Sequence, residues 1–479
     1  MIIILKVFLQ AAVSGLSAGY KLSAFIIIGF IVKEKQLYIE TYGCQMNFSD
    51  SEIVASVMAS HDYAIAGDAQ AADIILLNTC SIREHAENRV LSRLRELQHL
   101  RKKKPGLLIG VLGCMAERLK EKLLEDKDLG MRIDMVVGPD AYRQLPQLMA
   151  DAETGQKAIN VMLSVDETYA DISPVRYAAN GVSAFISIMR GCENFCAYCV
   201  VPYTRGKERS RDPESILGEA GQLIAAGYKE VTLLGQNVNS YSWSDRKTGG
   251  EVRFSQLLEM VADLDPQLRV RFATSHPKDI SDELIRTIAR KENICNAIHL
   301  PVQSGSTSVL QRMNRKYSRE DYLERIRAIR AIIPDCAIST DFIAGFCGET
   351  EEEHRDTLSL MDAVGFDFAF MFKYSERPDT LAAKKFADDV PEDVKTRRLS
   401  EIIERQQKLS LASNRRDLSG CQLVLAEGAS KRSKAHMMGR TPRNKVVVFP
   451  AGNIAPGDYV MVEITHCTSA TLKGEVISK

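Results

Sequence analysis

The sequence predicts an α/β protein with three folded regions: an N-terminal domain built on a parallel sheet, a central partial (β/α)6 barrel and a small C-terminal β barrel. The chain of 479 residues is too long for one hydrophobic core, since single cores stop growing at about 250–300 residues. Short apolar runs alternate with helix-like stretches until about residue 410. Beyond that point only short β-like runs between Gly and Pro turns remain. We expect the regions at 35–150, 182–410 and 411–479, with a connector at 151–181.

Composition and charge exclude several classes of protein. A chain with 45% hydrophobic and 26% charged residues is neither mainly disordered nor collagenous nor a polytopic membrane protein. Lys+Arg and Asp+Glu number 62 each, so a nucleic-acid partner would need a local basic patch. The 11 Cys are an odd number in a long chain, which argues against a secreted disulfide scaffold and favours metal or redox use.

Residues 1–34 form an apolar leader that we expect to lie outside the folded protein, with translation starting near Val32. The leader carries Lys6 and Lys21, and its apolar run 22–32 is far shorter than the roughly 20 residues of a membrane span. A membrane anchor and an export signal are the alternatives. Export would expose the thiol clusters described below to an oxidising compartment. We therefore expect a cytoplasmic protein without stable membrane association.

Three cysteines follow predicted strands of the N-terminal region. Strands are predicted at residues 37–41, 73–79, 107–113 and 135–138, and helices at 83–101 and 116–127. Cys44, Cys80 and Cys114 lie at the carboxyl ends of the first three strands. Those ends share one edge of a parallel sheet, so the three thiols should converge. Burial as small apolar residues is the alternative, but the glycine before Cys44 and before Cys114 favours a ligand role.

A second set of cysteines follows the first strand of the central region. Strands are predicted at residues 184–189, 231–234, 270–273, 297–301, 338–343 and 367–374, and helices at 215–226 and 319–332. Cys192, Cys196 and Cys199 form a C-x3-C-x2-C loop at the carboxyl end of the barrel, where barrel sites lie. Three thiolates can bind three irons of a 4Fe-4S cluster and leave the fourth iron free for a chelating substrate. A zinc site, which would want a fourth ligand nearby, and unconnected core cysteines are the alternatives.

Two groups of cations are candidates for binding RNA. The C-terminal region has predicted strands at residues 422–426, 445–449, 459–465 and 471–477, and from Ser410 it contains ten Lys/Arg against five Asp/Glu. Its candidate residues are Lys431, Arg432, Arg440, Arg443 and Lys445. Arg205, Lys207, Arg209 and Arg211 recur at every second residue, which in an extended segment places four cations on one side. Both groups could bind phosphates, although a solvated face paired with nearby acids is the alternative for the second group.

The cysteine loop at residues 189–199 resembles that of the radical S-adenosylmethionine (SAM) enzymes. The order of the two cysteine sets and a basic β barrel resembles the methylthiotransferase branch, whose barrel is the RNA-binding TRAM type. The segments closest to tRNA-2-methylthio-N6-dimethylallyladenosine synthases are 40–47, 77–83, 189–199, 201–211 and 234–241. One departure is Cys347, at a position where the family commonly has Pro.

This resemblance implies two 4Fe-4S clusters, with SAM as radical source and methyl donor. The implied substrate is C2 of N6-isopentenyladenosine beside the anticodon of tRNA. Its C–H bond is neither acidic nor polarised, so a radical must abstract the hydrogen, and the first cysteine set would deliver sulfur. A sibling activity on threonylcarbamoyl adenosine or on a ribosomal-protein aspartate is the near alternative. A non-catalytic iron–sulfur protein that binds RNA or transfers electrons is the distant one.

The resemblance and the strand ends also indicate residues that bind SAM. The aromatic ring of Tyr198 could pack on the SAM adenine. Polar side chains at or after three strands are further candidates: Gln236, Asn237, Gln303, Ser304 and Asp341. We expect an electron donor such as a flavodoxin or ferredoxin, a sulfur or cluster donor, the anticodon stem-loop of tRNA as substrate, and a monomeric enzyme.

Overall fold

The computed structural model describes residues 34–81, 84–125, 130–156, 158–177, 180–245 and 249–478. Apart from Glu34, the predicted apolar leader lies outside these residues, as do residues 126 and 127 at the end of one predicted helix. None of the helices in the described ranges is both long enough and apolar enough to cross a membrane.

The N-terminal region is a six-stranded, fully parallel sheet with the strand order β2-β1-β3-β4-β5-β6. Its strands are β1 (Lys35–Tyr42), β2 (Tyr63–Ile65), β3 (Ile74–Thr79), β4 (Leu108–Gly113), β5 (Met135–Val137) and β6 (Ala158–Asn160). Its helices are α1 (Gln45–Ala59), α2 (Glu84–Lys103), α3 (Cys114–Leu119), α4 (Lys122–Glu125) and α5 (Leu145–Glu153). Every residue of β3 is buried, because apolar clusters cover both faces of the sheet. The four predicted strands are therefore present.

Two short strands of this sheet were not predicted. Both β2 and β6 have three residues, which is too short for a recognisable periodicity. Strand β6 lies within the predicted connector 151–181, and α5 crosses the predicted boundary at residue 150. The sheet thus extends further along the chain than the sequence pattern indicated.

The central region contains six parallel barrel strands in two adjoining three-stranded sheets, β13-β10-β7 and β14-β15-β16. Its strands are β7 (Ser183–Ser187), β8 (Met189–Arg190), β9 (Arg209–Ser210), β10 (Glu230–Leu234), β11 (Ser242–Ser244), β12 (Glu251–Arg253), β13 (Arg269–Ala273), β14 (Ala297–His299), β15 (Ala337–Ala344) and β16 (Phe368–Lys373). A bridge between Val270 and Ile294 joins β13 to the segment just before β14. This is the predicted partial (β/α)6 barrel.

The helices of the central region are α6 (Val201–Arg205), α7 (Pro213–Ala225), α8 (Phe254–Ala262), α9 (Asp282–Arg290), α10 (Thr307–Arg312), α11 (Arg319–Ile332), α12 (Glu351–Val364), α13 (Leu381–Lys385) and α14 (Glu392–Arg415). Most of them cover the outer side of this partial barrel, whereas α6 contacts α3 of the N-terminal region. Capping boxes begin two of them, at Ser318 for α11 and Thr350 for α12. One large apolar cluster joins these helices to the outward side chains of the strands. The inner side of the sheets is thereby left for binding.

The C-terminal region is a closed five-stranded barrel with the order β17-β18-β19-β21-β20. Its strands are β17 (Cys421–Ser430), β18 (Ser433–Arg440), β19 (Val446–Pro450), β20 (Tyr459–Cys467) and β21 (Leu472–Ser478). Four of them were predicted. Strand β18 was missed because its sequence, with Lys, His, two Met and Gly, has few of the β-branched and aromatic residues that favour strands.

Buried polar contacts hold the C-terminal barrel against the segment after α14 and against the central region. Lys445 Nζ lies 2.7 Å from Asp417 Oδ2, and Arg443 pairs with the other oxygen of the same carboxylate. Arg271 Nη2 donates to the Thr441 carbonyl at 2.8 Å. Since Asp417 is only 3% exposed, it neutralises two cations away from water.

We predict that Asp417→Asn destabilises the C-terminal barrel by about 3–5 kcal/mol, because it leaves Arg443 without its carboxylate partner and Lys445 with only Asp367 at 3.9 Å. Hydrogen exchange of the β17–β21 amides should report the loss. The control is Asp362→Asn, which removes the exposed partner of Arg405 and should cost at most about 1 kcal/mol. Equal effects of the two substitutions would contradict the prediction.

Candidate active site with two cysteine triads

The first triad lies along one edge of the N-terminal sheet. Cys44 follows β1, Cys80 follows β3 and Cys114 follows β4, and these three strands are neighbours in the sheet. A hydrogen bond with Cys80 lowers the pKa of Cys44, which is exposed, to about 6. Arg205 Nε donates to Cys114 Sγ at 3.2 Å, although burial raises the pKa of this thiol. The structure thus brings the three predicted thiols together with one cation beside them.

Glycines allow the turns of the first triad to approach each other. Gly43 has φ +134°, and a Cβ there would collide with the Cys80 side chain. Gly113 has φ +87°, and a Cβ there would lie 2.5 Å from Asn78 Oδ1. These conformations suit glycine alone. An amide hydrogen bond from Asn47 Nδ2 to Asn78 Oδ1 at 3.1 Å joins the turns that carry Cys44 and Cys80.

The second triad occupies the loop after the first barrel strand. Cys196 is buried and Cys192 and Cys199 are half-buried, and burial raises the pKa of Cys192 to about 11. Two side chains donate to sulfur: Arg315 Nη1 to Cys196 at 3.4 Å and Asn194 Nδ2 to Cys192 at 3.6 Å. Such donors favour the thiolate form that binds metal.

Both cysteine sets can be compared with the needs of known metal centres. Within the described ranges, no group of three or more His, Cys, Asp or Glu side chains is arranged to hold a metal ion. Each thiolate of a 4Fe-4S cluster binds a different iron, so the sulfurs must surround a cube. All 11 cysteines are free of disulfide bonds, which leaves both triads available as ligands.

Unpaired polar atoms line the carboxyl ends of three neighbouring barrel strands. Gln236 Oε1 and Asn237 Oδ1, both after β10, are buried without a hydrogen-bond partner. The same holds for side-chain atoms of Ser187, Asn239 and Ser275. Buried polar groups without partners are rare in proteins, so these atoms are free to bond to a ligand or to water. Two of the predicted SAM-binding residues, Gln236 and Asn237, each have such an atom.

The other predicted SAM-binding residues lie in different surroundings. Ser304 Oγ is 3.3 Å from Thr357 Oγ1, so it already has a partner. Gln303 has a positive φ of +75° and bonds to the backbone of β15. Tyr198 is half-buried and packs against an apolar cluster. Asp341 lies in the middle of β15, where its Oδ1 is 3.5 Å from His299 Nε2, and so not at a strand end.

A buried ion network that sequence reasoning missed joins the two triads. Asp50 Oδ1 accepts from Arg190 Nη1 at 2.8 Å, and Asp50 Oδ2 accepts from Arg205 Nη2 at 2.7 Å. Burial alone would raise the pKa of Asp50, but the charges of Arg190 and Arg205 lower it below its usual range. Arg205 also contacts Cys114, while Arg190 is two residues before Cys192. The position of Arg190 directly before the Gly-Cys motif is the one sequence signal that could have indicated this role.

The predicted cation stripe at residues 205–211 is corrected by the structure. Arg205, Arg209 and Arg211 are buried and pair with Asp50, Asp140 and Glu219, respectively. Arg205 ends helix α6, so the segment is not extended throughout. Buried and neutralised cations are not available to phosphate. Of the stripe, Lys207 alone is exposed.

The predicted cations of the C-terminal barrel also divide into two groups. Lys445 is buried against Asp417, Arg443 pairs with the same carboxylate, and Arg440 Nε lies 3.0 Å from Glu427. The prediction that Lys445 binds RNA is therefore wrong, because its charge is neutralised inside the protein. Lys431 and Arg432 are exposed at the turn between β17 and β18 and remain candidates for binding RNA.

Three family models match the chain: "Uncharacterized protein family UPF0004" at residues 36–138, "Radical SAM superfamily" at 186–361 and "TRAM domain" at 421–477. Similar curated relatives bear the name tRNA-2-methylthio-N(6)-dimethylallyladenosine synthase. The protein of Bacteroides fragilis is 56% identical over 444 residues, which cover 92% of this chain and 96% of that relative. Those of Bacteroides thetaiotaomicron and Chloroherpeton thalassium are 57% and 56% identical, with 92% and 93% of this chain covered and 96% and 97% of the relatives.

Solved structures share the fold at low sequence identity. The cobalamin-dependent SAM radical enzyme OxsB matches with a TM-score of 0.52 at 13% identity, covering 79% of this chain and 62% of its own. The radical SAM methyltransferase TsrM of Kitasatospora setae matches with a TM-score of 0.51 at 12% identity, covering 73% and 74%. These similarities concern the arrangement of the sheets and barrel.

We predict that Asp50→Asn loosens the contact between the two triads. Arg205 would then lose its carboxylate partner, and Arg190 would keep only Asp140 at 3.6 Å, at a cost of about 3–5 kcal/mol. The thermal unfolding midpoint should fall, and Cys114 in the iron-free protein should be alkylated faster. Asp171→Asn, which removes the 72% exposed partner of Arg143, is the control and should change neither quantity.

A second prediction concerns Glu117, a buried side chain on α3 whose Oε2 has no partner. Burial raises its pKa from 4.5 to about 7. Between these values the folded state binds more protons than the unfolded state, so stability falls as the pH rises through this window. Glu117→Gln removes the charge and should match wild type at pH 5 but exceed it at pH 8, by up to about 3 kcal/mol. Thermal midpoints at the two pH values test this, and an identical difference at both would contradict it.

Proposed function

Because the chain belongs to the family of tRNA-2-methylthio-N(6)-dimethylallyladenosine synthases, which are radical SAM enzymes, we propose that its two cysteine triads hold two 4Fe-4S clusters. The enzyme is a methylthiotransferase that acts on tRNA. In the proposal, Cys192, Cys196 and Cys199 hold the cluster that binds SAM, and Cys44, Cys80 and Cys114 hold the second. The observation that carries the proposal is the pair of triads at facing strand edges, linked by the buried carboxylate of Asp50.

The reaction explains why two triads are needed. The target is C2 of N6-dimethylallyladenine, whose C–H bond no side-chain base can usefully deprotonate. The clusters and SAM supply the one-electron chemistry, the methyl group and the sulfur when they are bound. The chain contributes the thiolates, the geometry and the exclusion of water. Arg315 beside Cys196 and Arg205 beside Cys114 place one positive charge at each triad, which stabilises sulfur ligands in their anionic form.

Protein groups around the second triad suit a polar, amphoteric ligand such as SAM. The unpaired atoms of Gln236, Asn237 and Asn239 can bind its amino and carboxylate groups or its ribose. Tyr198 lies within the same cysteine loop and offers an aromatic ring. Gln303 and Ser304 remain proposed at the next strand end.

The remaining parts of the proposal concern partners and location. The exposed Lys431, Arg432 and Lys207 are the proposed contacts to tRNA phosphates, so binding should weaken with salt. A flavodoxin or ferredoxin is the proposed electron donor, and a separate protein is proposed to replenish sulfur. The tRNA substrate favours a cytoplasmic location.

The two triads make separable predictions in anaerobically reconstituted protein with SAM and a reductant. Cys196→Ala should stop producing 5′-deoxyadenosine and should retain about four irons, compared with about eight in the wild-type protein. Cys80→Ala should also lose about four irons and all methylthiolation, yet still produce 5′-deoxyadenosine. Cys421, an exposed cysteine of the C-terminal barrel, provides the control. Cys421→Ala should retain all irons, the production of 5′-deoxyadenosine and methylthiolation.

Nucleoside analysis of tRNA from cells lacking the protein identifies the substrate. A loss of 2-methylthio-N6-dimethylallyladenosine, with accumulation of N6-dimethylallyladenosine, is expected. An unchanged amount would contradict the proposal and favour the sibling activities on threonylcarbamoyl adenosine or a ribosomal-protein aspartate.

A further inference from the structure

An exposed aromatic surface lies on the inner side of the second barrel sheet. Five side chains of β14, β15 and β16 form it, and we call it the aromatic face: His299, Ser339, Asp341, Phe368 and Phe370. Strand register pairs Ser339 with Phe368 and Asp341 with Phe370. The two phenyl rings meet edge to face at 4.9 Å, and the Phe370 ring meets His299 at 5.9 Å. The five side chains therefore form one continuous surface.

This face is open, whereas the opposite side of the same strands is closed. Phe368 and Phe370 are 50% and 44% exposed. Between them in sequence, Ala369 points the other way into the apolar cluster under the helices, as do Ile298 and Phe342. Large exposed aromatic side chains in adjacent positions cost solvation free energy and are typical of binding surfaces.

Polar groups border the phenyl rings. Ser339 Oγ lies 3.0 Å from His299 Nδ1, and Asp341 Oδ1 lies 3.5 Å from His299 Nε2. The Asp341 side chain is 26% exposed, so its carboxylate can accept a further hydrogen bond. The aromatic face thus combines a broad apolar area with one acceptor at its edge.

The aromatic face lies close to the second triad. Pro301, two residues after His299, accepts a hydrogen bond from Arg315 Nη2 at 2.6 Å, and Arg315 Nη1 is 3.4 Å from Cys196 Sγ. Two extended residues span about 7 Å. The His299 edge of the aromatic face is therefore linked to the second triad through Pro301 and Arg315.

We propose that the aromatic face binds the dimethylallyl group of the substrate adenine and thereby selects tRNA that already carries this group. The proposal rests on the function proposed above, and it assigns Asp341 to the substrate instead of SAM. A branched five-carbon group makes no hydrogen bonds and gains free energy only by leaving water, which two phenyl rings allow. The N6–H of the same adenine is a donor that the Asp341 carboxylate can accept.

Binding of two RNAs to the reconstituted enzyme with SAM tests the proposal. The probes are a fluorescently labelled anticodon stem-loop with N6-dimethylallyladenosine and the same stem-loop with plain adenosine, compared by anisotropy. Phe370→Ala should weaken binding of the first RNA about tenfold and of the second less than twofold, because the lost contact involves the apolar group alone. Phe370→Leu, which keeps an apolar side chain, should recover most of the affinity.

A matched control separates the aromatic face from exposed apolar surface in general. Leu264 is 41% exposed in the loop that follows α8, and Leu264→Ala should leave the binding of both RNAs unchanged. Asp341→Asn should weaken binding of the RNA that carries N6-dimethylallyladenosine, and SAM cleavage should continue. If Asp341→Asn instead stops SAM binding, the assignment of Asp341 to the substrate is wrong.

The outcomes distinguish this inference from the proposed function. An equal loss for both RNAs in Phe370→Ala would mean that the face stacks a neighbouring unpaired base, and would overturn the proposal. No loss for either RNA would overturn it as well. The proposed function fails separately, if wild-type enzyme neither cleaves SAM nor methylthiolates the dimethylallyl RNA in the same preparation.

Discussion

The structure depends on one buried carboxylate that is shared by two guanidinium groups. Asp50 belongs to the N-terminal domain, and Arg190 and Arg205 belong to the central region. Removing such charges from water costs several kcal/mol per ion, and good geometry on both sides is needed to offset that cost. The pairing therefore tolerates little relative displacement of the two domains. This constraint keeps the edge that carries Cys114 beside the loop that carries Cys192.

The same network explains why a repeating cation pattern was misinterpreted. Alternation at residues 205–211 indicates that the cations share a direction, but it does not reveal whether that direction is solvent or protein. The carboxylate that neutralises Arg205 is 155 residues away, and the one that neutralises Arg209 is 69 residues away. A local pattern holds no information about partners at that separation. The arginine side chains of this segment form ion pairs inside the protein and are not available to bind nucleic acid.

Features that depend on residues close together in the sequence were predicted, and features that depend on residues far apart in the sequence were not. The long strands β1, β3 and β15 were predicted because continuous or alternating apolar residues are a local signal, whereas three-residue strands such as β2 and β6 carry almost none. The cysteine triads were predicted because each follows a strand, often after glycine. The unpaired Asn239 and the ion network of Asp50 required three dimensions, since their roles arise from what surrounds them.

The polarity of the side chains on the inner side of the partial barrel changes from the amino ends of the strands to their carboxyl ends. At the amino ends, Arg269 and Arg271 donate to the backbone carbonyls of Arg440 and Thr441, so the C-terminal barrel covers this end. The exposed ring of Phe368 lies at the first residue of β16 and that of Phe370 two residues further on, and the carboxyl ends carry the unpaired polar atoms and the second triad. A nucleotide that reaches both features must therefore lie along the strands. The polarity gradient then orients it, with apolar groups toward the amino-terminal half of β16 and the reacting edge toward the cysteines.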